Sequence, residues 1–256
     1  MSAAPATPPP GSPSDPFDRA AWRRQRVRAR PGFDFIDRAL AADLAARVAA
    51  AGRDFTVAVA FGGSGVAGSG QTITVDVAAR PGVDIVADAD RLPFADGSVD
   101  LIAALGLHAV GDLPGALVLA RRALRPGGLF VAALIGGATL GEVRADLLAA
   151  EVALTGRAAA RVWPMVDPQA APGLLQRAGF VDPVAEVDTL TVRYSNLAAV
   201  LRDLRGAGAG NIVRGREPLR RDVLADAARR FAERAVEGRV AVTVQVITLT
   251  GRGRAD

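Results

Sequence analysis

The chain has 256 residues, half of them hydrophobic, with 28 glycines, 16 prolines, no cysteine and one histidine. All 31 basic residues are arginine, against 27 acids, so a pI near 10.9 accompanies a net charge of only +4. This is the size of one large α/β domain, and the composition excludes disulfides, thiolate catalysis, cysteine-ligated metals, lysine Schiff bases and the lysine of a Walker A loop.

The opening "MSAAPATPPPGSPSDP" has no basic n-region and no apolar h-region, so it does not read as a secretory signal. Its Pro/Ala/Ser composition predicts a disordered tail over residues 1–16. "FDRAAWRRQRVRARPG" predicts a helix closed by Pro31-Gly32, with Arg19, Arg23, Arg26 and Arg30 on one face. That strip reads either as a solvated face or as a flap that docks an anionic substrate or partner. A second amphipathic helix carries Ile36, Leu40, Leu44 and Val48 and stops at Gly52; residues 17–52 thus form an N-terminal helical unit.

From residue 53 the pattern turns to strands. "FTVAVAF" predicts a buried strand, then the glycine-rich "GGSGVAGSG" leads to "TITVDV", "VDIVADAD" and "VDLIAALGL". A helix "LPGALVLARRAL", the turn "RPGG" and the strand "LFVAALIG" complete a strand–helix–strand unit, which implies a parallel pair. The core so defined spans residues 53–137. Residues 138–250 add a helix whose Thr139 and Glu142 have capping-box spacing, a short helix "APGLLQRAGF", the strand "EVDTLTVRY", two more helices and the alternating strand "RVAVTVQVITLTG". Residues 251–256 read as a tail.

The fragments "ADADRLPFADGSVDLI" and "LRPGGLFVAAL" resemble the middle of class I S-adenosylmethionine-dependent methyltransferases. "FDRAAWRRQRVRAR", "LHAVGDLP", "GGATLGEVRADLLAAE", "LLQRAGFVDP" and "LRDLRGAGAGN" extend the resemblance over roughly residues 17–250. They point to the family of a mitochondrial complex I assembly factor that hydroxylates an arginine, and its bacterial relatives, close to the biotin-pathway malonyl-carrier-protein methyltransferases. The resemblance implies a Rossmann-like α/β sheet, mostly parallel with an antiparallel C-terminal strand, and S-adenosylmethionine as cofactor. It implies a glycine turn at Gly62, Gly63 and Gly65, a ribose-binding acid at Asp76 and an adenine-contacting pair at Asp88 and Ala89. It also brings His108 to the carboxyl edge of the sheet, where ligands bind in such folds. There the imidazole reads either as a catalytic proton acceptor or as a structural group.

The chain departs from that family in three places. The acid of the first motif is replaced by an apolar residue in "AVAFGGSG", and the tryptophan after the family's histidine is Ala109. The links after the first and second strands are too short for the two crossover helices. Read locally, "TITVDVAARPGVDIVADAD" is an antiparallel hairpin; read by resemblance, it is two parallel strands with their helices reduced to loops. The second reading predicts an apolar strip on the sheet, covered by the N-terminal helices, a homo-oligomer or an obligate partner.

The function expected is a methyltransferase-family protein with a degenerate cofactor site. The alternatives are a non-catalytic assembly or scaffold relative with a respiratory-complex subunit as partner, and arginine hydroxylation by resemblance alone. The methyl acceptor is left open. One histidine cannot build a two-histidine iron triad, and no metal site is predicted. Nor is a nucleic-acid partner, since the C-terminal arginines are interleaved with acids and there are only one tyrosine and two tryptophans. No run of eighteen uncharged apolar residues offers a membrane span. The expected location is the cytoplasm, with a peripheral position at the inner membrane as the alternative.

Overall fold

A computed structural model describes residues 15–163 and 165–254. Most of the predicted N-terminal tail therefore lies outside the described residues. Its last two residues are tied down: Asp15 accepts the Phe17 N–H at 2.9 Å, and the Pro16 carbonyl accepts from Arg214 N at 2.9 Å. At the other end the last strand continues to Arg252, inside the second predicted tail.

Seven strands form one sheet: β1 (Val57–Phe61), β2 (Gln71–Asp76), β3 (Ile85–Val86), β4 (Val99–Leu105), β5 (Leu124–Ile135), β6 (Val181–Tyr194) and β7 (Val240–Arg252). Their order is β3-β2-β1-β4-β5-β7-β6. Only β7 runs against its neighbours. This is the mostly parallel Rossmann-like sheet with one antiparallel C-terminal strand that the resemblance implied. The local hairpin reading is overturned, because β1 pairs β2 in parallel (Val57 opposite Gln71) and β2 pairs β3 in parallel (Val75 opposite Ile85).

Helices α1 (Arg19–Arg28) and α2 (Phe35–Ala50) precede the sheet, and α3 (Leu113–Ala123), α4 (Gly141–Thr155), α5 (Ala171–Ala178), α6 (Leu197–Gly206) and α7 (Arg221–Glu233) are inserted in it. Short polar side chains start several of them by capping free N–H groups. Asp18 accepts from Ala21 N at 2.8 Å, Asp112 from Gly115 N and Asn196 from Ala199 N, both at 2.9 Å. Alternation along the strands divides the core. Val59, Phe61, Val75, Ile102 and Phe130 face α3 and α5, whereas Ala58, Leu101, Ala103 and Val131 face Leu40, Leu44 and Val48 of α2. A third cluster joins α4, α6 and α7 to the start of β7.

The missing first crossover helix has a specific replacement. Residues 62–70 leave the top of β1 and run back down the α2 side, and nine extended residues reach further than a five-residue strand is long. Backbone then lies against backbone: Ser69 N donates to Phe55 O (2.9 Å), Gln71 N to Thr56 O (2.8 Å), and the Ser64 hydroxyl to Ala103 O (3.1 Å). A Cβ on Gly68 would lie 2.3 Å from Phe55 O, and one on Gly70 2.4 Å from Thr56 O. The glycine content of this stretch is therefore a packing requirement as well as a turn.

The expected apolar strip on the thinly covered face is there and lies under an N-terminal helix: Ala58, Leu101, Ala103 and Val131 pack on Leu40, Leu44 and Val48 of α2. On β2 the same side carries Thr72, Thr74 and Asp76, while Ile73 and Val75 face the other core. The expected capping box fails. Leu140, in the left-handed region at φ 55°, precedes α4 without a side-chain cap. Thr139 instead exchanges hydrogen bonds with Gln245, and Glu142 accepts from the backbone and hydroxyl of Thr243. These groups satisfy β7 beyond the end of β5, where an unpaired edge would otherwise be left.

Gly68→Ala and Gly70→Ala are each expected to destabilise the fold by about 2 kcal/mol or more, the scale of forced overpacking. Gly141→Ala, open to 4 Å at the start of α4, is expected to be neutral or to stabilise by about 0.5 kcal/mol. Urea unfolding of the three variants checks this.

Candidate functional site at the carboxyl edge of the sheet

The strand ends bring the predicted residues to one edge. Gly62, Gly63 and Gly65, all at positive φ, turn the chain out of β1. Gly62 has no room for a side chain, since a Cβ there would lie 2.2 Å from Leu105 O. Asp76 closes β2 and is 1% exposed. Asp88 and Ala89, both buried, follow β3 at a single turn of 3-10 helix over Ala89–Arg91. His108 lies just past β4.

The acids are already engaged. Helix α1 crosses this edge and delivers Arg19, Arg23 and Arg26 onto it. Arg26 donates to Asp76 Oδ2 at 2.8 Å and to the Gly62 carbonyl at 2.9 Å. Arg80 donates to the same carboxylate oxygen at 2.5 Å, and Asp76 Oδ1 accepts from Ala78 N at 3.1 Å. Burial alone would raise the Asp76 pKa, but the Arg26 and Arg80 guanidinium groups outweigh it and hold the carboxyl below its usual value. Arg23 bonds Asp88 at 2.5 Å and the Val77 carbonyl at 3.1 Å. Arg19 bridges Asp15, Asp88 and Asp90. Three of the four arginines of the strip thus neutralise the chain's own carboxylates, while Arg23 stays partly exposed and Arg30 exposed. Sequence spacing located the strip but not its target, since the core segment holds eight aspartates and only the fold selects Asp76, Asp88 and Asp90.

Beside these acids two small adjoining cavities, of about 80 and 120 Å³, share His108, Asp37, Ile135 and Trp163. The larger one is walled by Phe33, Phe35, Tyr194 and Leu204 and carries Asp203. The aromatic wall missing at Ala109 is supplied from elsewhere in the chain: the Trp163 ring stands edge-on to His108 with centroids 5.7 Å apart. Trp163, Tyr194, Asp37 and Asp203 were not picked out from sequence, because they converge from segments with no shared spacing. Burial, then the neighbouring Asp203 carboxylate, pushes the Tyr194 phenol up to about 12.

His108 Nδ1 accepts the Ile135 N–H at 3.4 Å, which leaves the ring proton on Nε2. Burial, then the charge of Arg26, pushes its pKa down to about 4. Among the described residues no group of three or more His, Asp or Glu side chains could hold a metal ion, and no helix is long and apolar enough to cross a membrane.

Strand order, glycine turn and edge acids together define an S-adenosylmethionine-dependent methyltransferase fold. Residues 65–132 match a family model described as "Methyltransferase domain". The structure is similar to the YcgJ protein from Bacillus subtilis, with a TM-score of 0.53 and 13% identity over 84% of this chain and 99% of that one. In sequence the chain is 32% identical over 275 residues to mouse "Arginine-hydroxylase NDUFAF5, mitochondrial", covering 95% of this chain and 80% of the relative. It belongs to the NDUFAF5 family. A shorter similarity, 38% over 133 residues, covers 52% of this chain and 43% of the "Malonyl-[acyl-carrier protein] O-methyltransferase" of Xylella fastidiosa.

The single histidine makes the site directly readable. Unfolded, it binds a proton near pH 6.5; folded, only near 4, so stability falls as pH drops through that window, by about 3 kcal/mol in full. The ring C–H resonances of the native protein should stay constant from neutral pH down to about pH 5. His108→Gln should remove this part of the acid-side loss of stability in unfolding curves.

Proposed function

We propose that this chain is a non-catalytic methyltransferase-fold relative that works as an assembly protein on a respiratory-complex partner, with its cofactor site closed. The carrying observation is the buried Asp76 carboxylate, taken by two guanidinium groups. S-Adenosylmethionine would need that carboxylate for its ribose and the Asp88–Ala89 turn for its adenine. Neutral sugar hydroxyls are weaker donors than guanidinium groups, whose charge-assisted bonds are roughly twice as strong. Two further supports for the cofactor are missing: no acid stands at the glycine turn, and no helix starts there to point its positive end at a ligand. As arranged, the residues do not fit the cofactor. A neutral His108 with its proton on Nε2 serves as a hydrogen-bond donor into the cavity, not as a base at neutral pH.

Calorimetric titration with S-adenosylmethionine and S-adenosylhomocysteine, with Asp76→Ala alongside, tests the closed site. The expected result is no heat and no thermal shift at millimolar ligand. Micromolar binding that Asp76→Ala abolishes would overturn it.

A second reading, hydroxylation of an arginine, takes support from the name of the mouse relative and from the larger cavity. Asp37 and Asp203 with Trp163, Tyr194 and two phenylalanines offer carboxylates and ring faces, the two partners a guanidinium prefers. On this reading methylguanidinium raises the melting temperature of the protein, and Asp203→Asn abolishes the shift. An equal shift in both proteins would remove this support.

A further inference from the structure

The closure of the site rests on a helix with little apolar hold. Of the ten residues of α1 only Ala21 and Trp22 are buried; its other attachments to the sheet edge are the ion pairs of Arg19, Arg23 and Arg26 and the bonds of Arg23 and Arg26 to the Val77 and Gly62 carbonyls. Those arginines fall at i, i+4 and i+7, so a single helix face carries all three contacts, and a single movement would release them together. Both ends of the helix are fixed to one other segment. Asp18 N donates to Ile212 O at 2.7 Å, Arg30 N to Gly206 O at 2.8 Å, and Phe17 bridges Val213. That segment, from the last residue of α6 toward α7, also lines both cavities through Ala207 and Ala209.

The contact is also imperfect. Among the described residues five buried side-chain polar atoms have no hydrogen-bond partner, and two lie at this edge, Asp88 Oδ1 and Arg80 Nε; a third, Gln25 Oε1, is on the side of α1 that packs on Gly208 and Gly210. Each unmet group costs free energy in the closed form that opening would recover. A permanent structural joint would be expected to satisfy its own polar atoms. A contact that is largely ionic, partly exposed and incompletely paired is one that another ligand can replace.

We propose that α1 is a displaceable strap whose three arginines stand in for a nucleoside ligand, and that withdrawing it frees Asp88 and leaves Asp76 held by Arg80 alone, open to a ligand of the S-adenosylmethionine class. This rests on the closed-site reading above and adds that the closure is reversible. The retention of both acids then has a reason beyond pairing α1, since each keeps the position the fold gives to a ribose or an adenine.

The test uses the full chain and S-adenosylhomocysteine as probe. By calorimetry the triple variant Arg19→Ala, Arg23→Ala, Arg26→Ala is expected to bind at least tenfold below the millimolar concentrations at which the unmodified protein gives no heat, and adding Asp76→Ala is expected to abolish that binding. A folded triple variant that binds no tighter overturns the strap and leaves the closed-site reading standing. Micromolar binding by the unmodified protein instead overturns the closed site. Should the triple variant fail to fold, hydrogen exchange on the unmodified protein decides. In 1 M NaCl, where screening acts within about 3 Å, amides of residues 19–28 should exchange at least tenfold faster than in low salt while those of β4 and β5 do not. Unchanged protection of α1 would overturn the proposal.

Discussion

A carboxylate with 1% exposure must find positive partners or give up its charge, and the edge of this sheet is arranged around that requirement at Asp76. Its two guanidinium partners come from opposite directions, Arg26 from the helix before the sheet and Arg80 from the loop after β2. Arg26 also holds the carbonyl of Gly62, so the same side chain joins the glycine turn to the end of β2. The position of α1 follows from this bond and its neighbours at Asp88 and Asp90. Breaking such a pair on one side leaves a buried charge, which is far more costly than the pair itself is stabilising.

The shortened links and the N-terminal helices are two parts of one solution. With no crossover helix after β1, the return segment lies flat on the strand ends and adds little apolar cover beyond Val66. Helix α2 supplies the rest through Leu40, Leu44 and Val48, and β2 needs none on that side because it presents threonines. The parallel strands therefore keep apolar cover on the α2 side despite the loss of two covering helices.

Strands, helices and their order were legible in the sequence because each has a clean period: Val240, Val242, Val244 and Val246 alternate into a core, and Leu40, Leu44 and Val48 recur at helical spacing. The direction of β2 and β3 was legible only through the resemblance, since a Pro-Gly link of eight residues is locally a hairpin signal. The capping box at Thr139 was misread because its hydroxyl and the Glu142 carboxylate had a better use on an unpaired stretch of β7, a tertiary demand that no local spacing reveals. Of the site, the structure brings the glycines, Asp76, Asp88 and His108 to the carboxyl edge of the sheet. What the acids hold was not legible, because an arginine face and a set of strand-end acids lie far apart in sequence and only the fold brings them together.

That separation has a consequence for the order of events during synthesis. The strap is anchored by Phe17 and Asp18 to Val213 and Ile212, so its seat is made from the opposite half of the chain. A ribosome delivers the glycine turn, Asp76 and Asp88 well before the segment that fixes α1, and contacts between such distant positions are the slowest to form. Until that segment is made α1 lacks its backbone seat, and the partner of Asp76 nearest in sequence is Arg80. The seat of α1 is therefore one of the last parts of the fold that synthesis can complete.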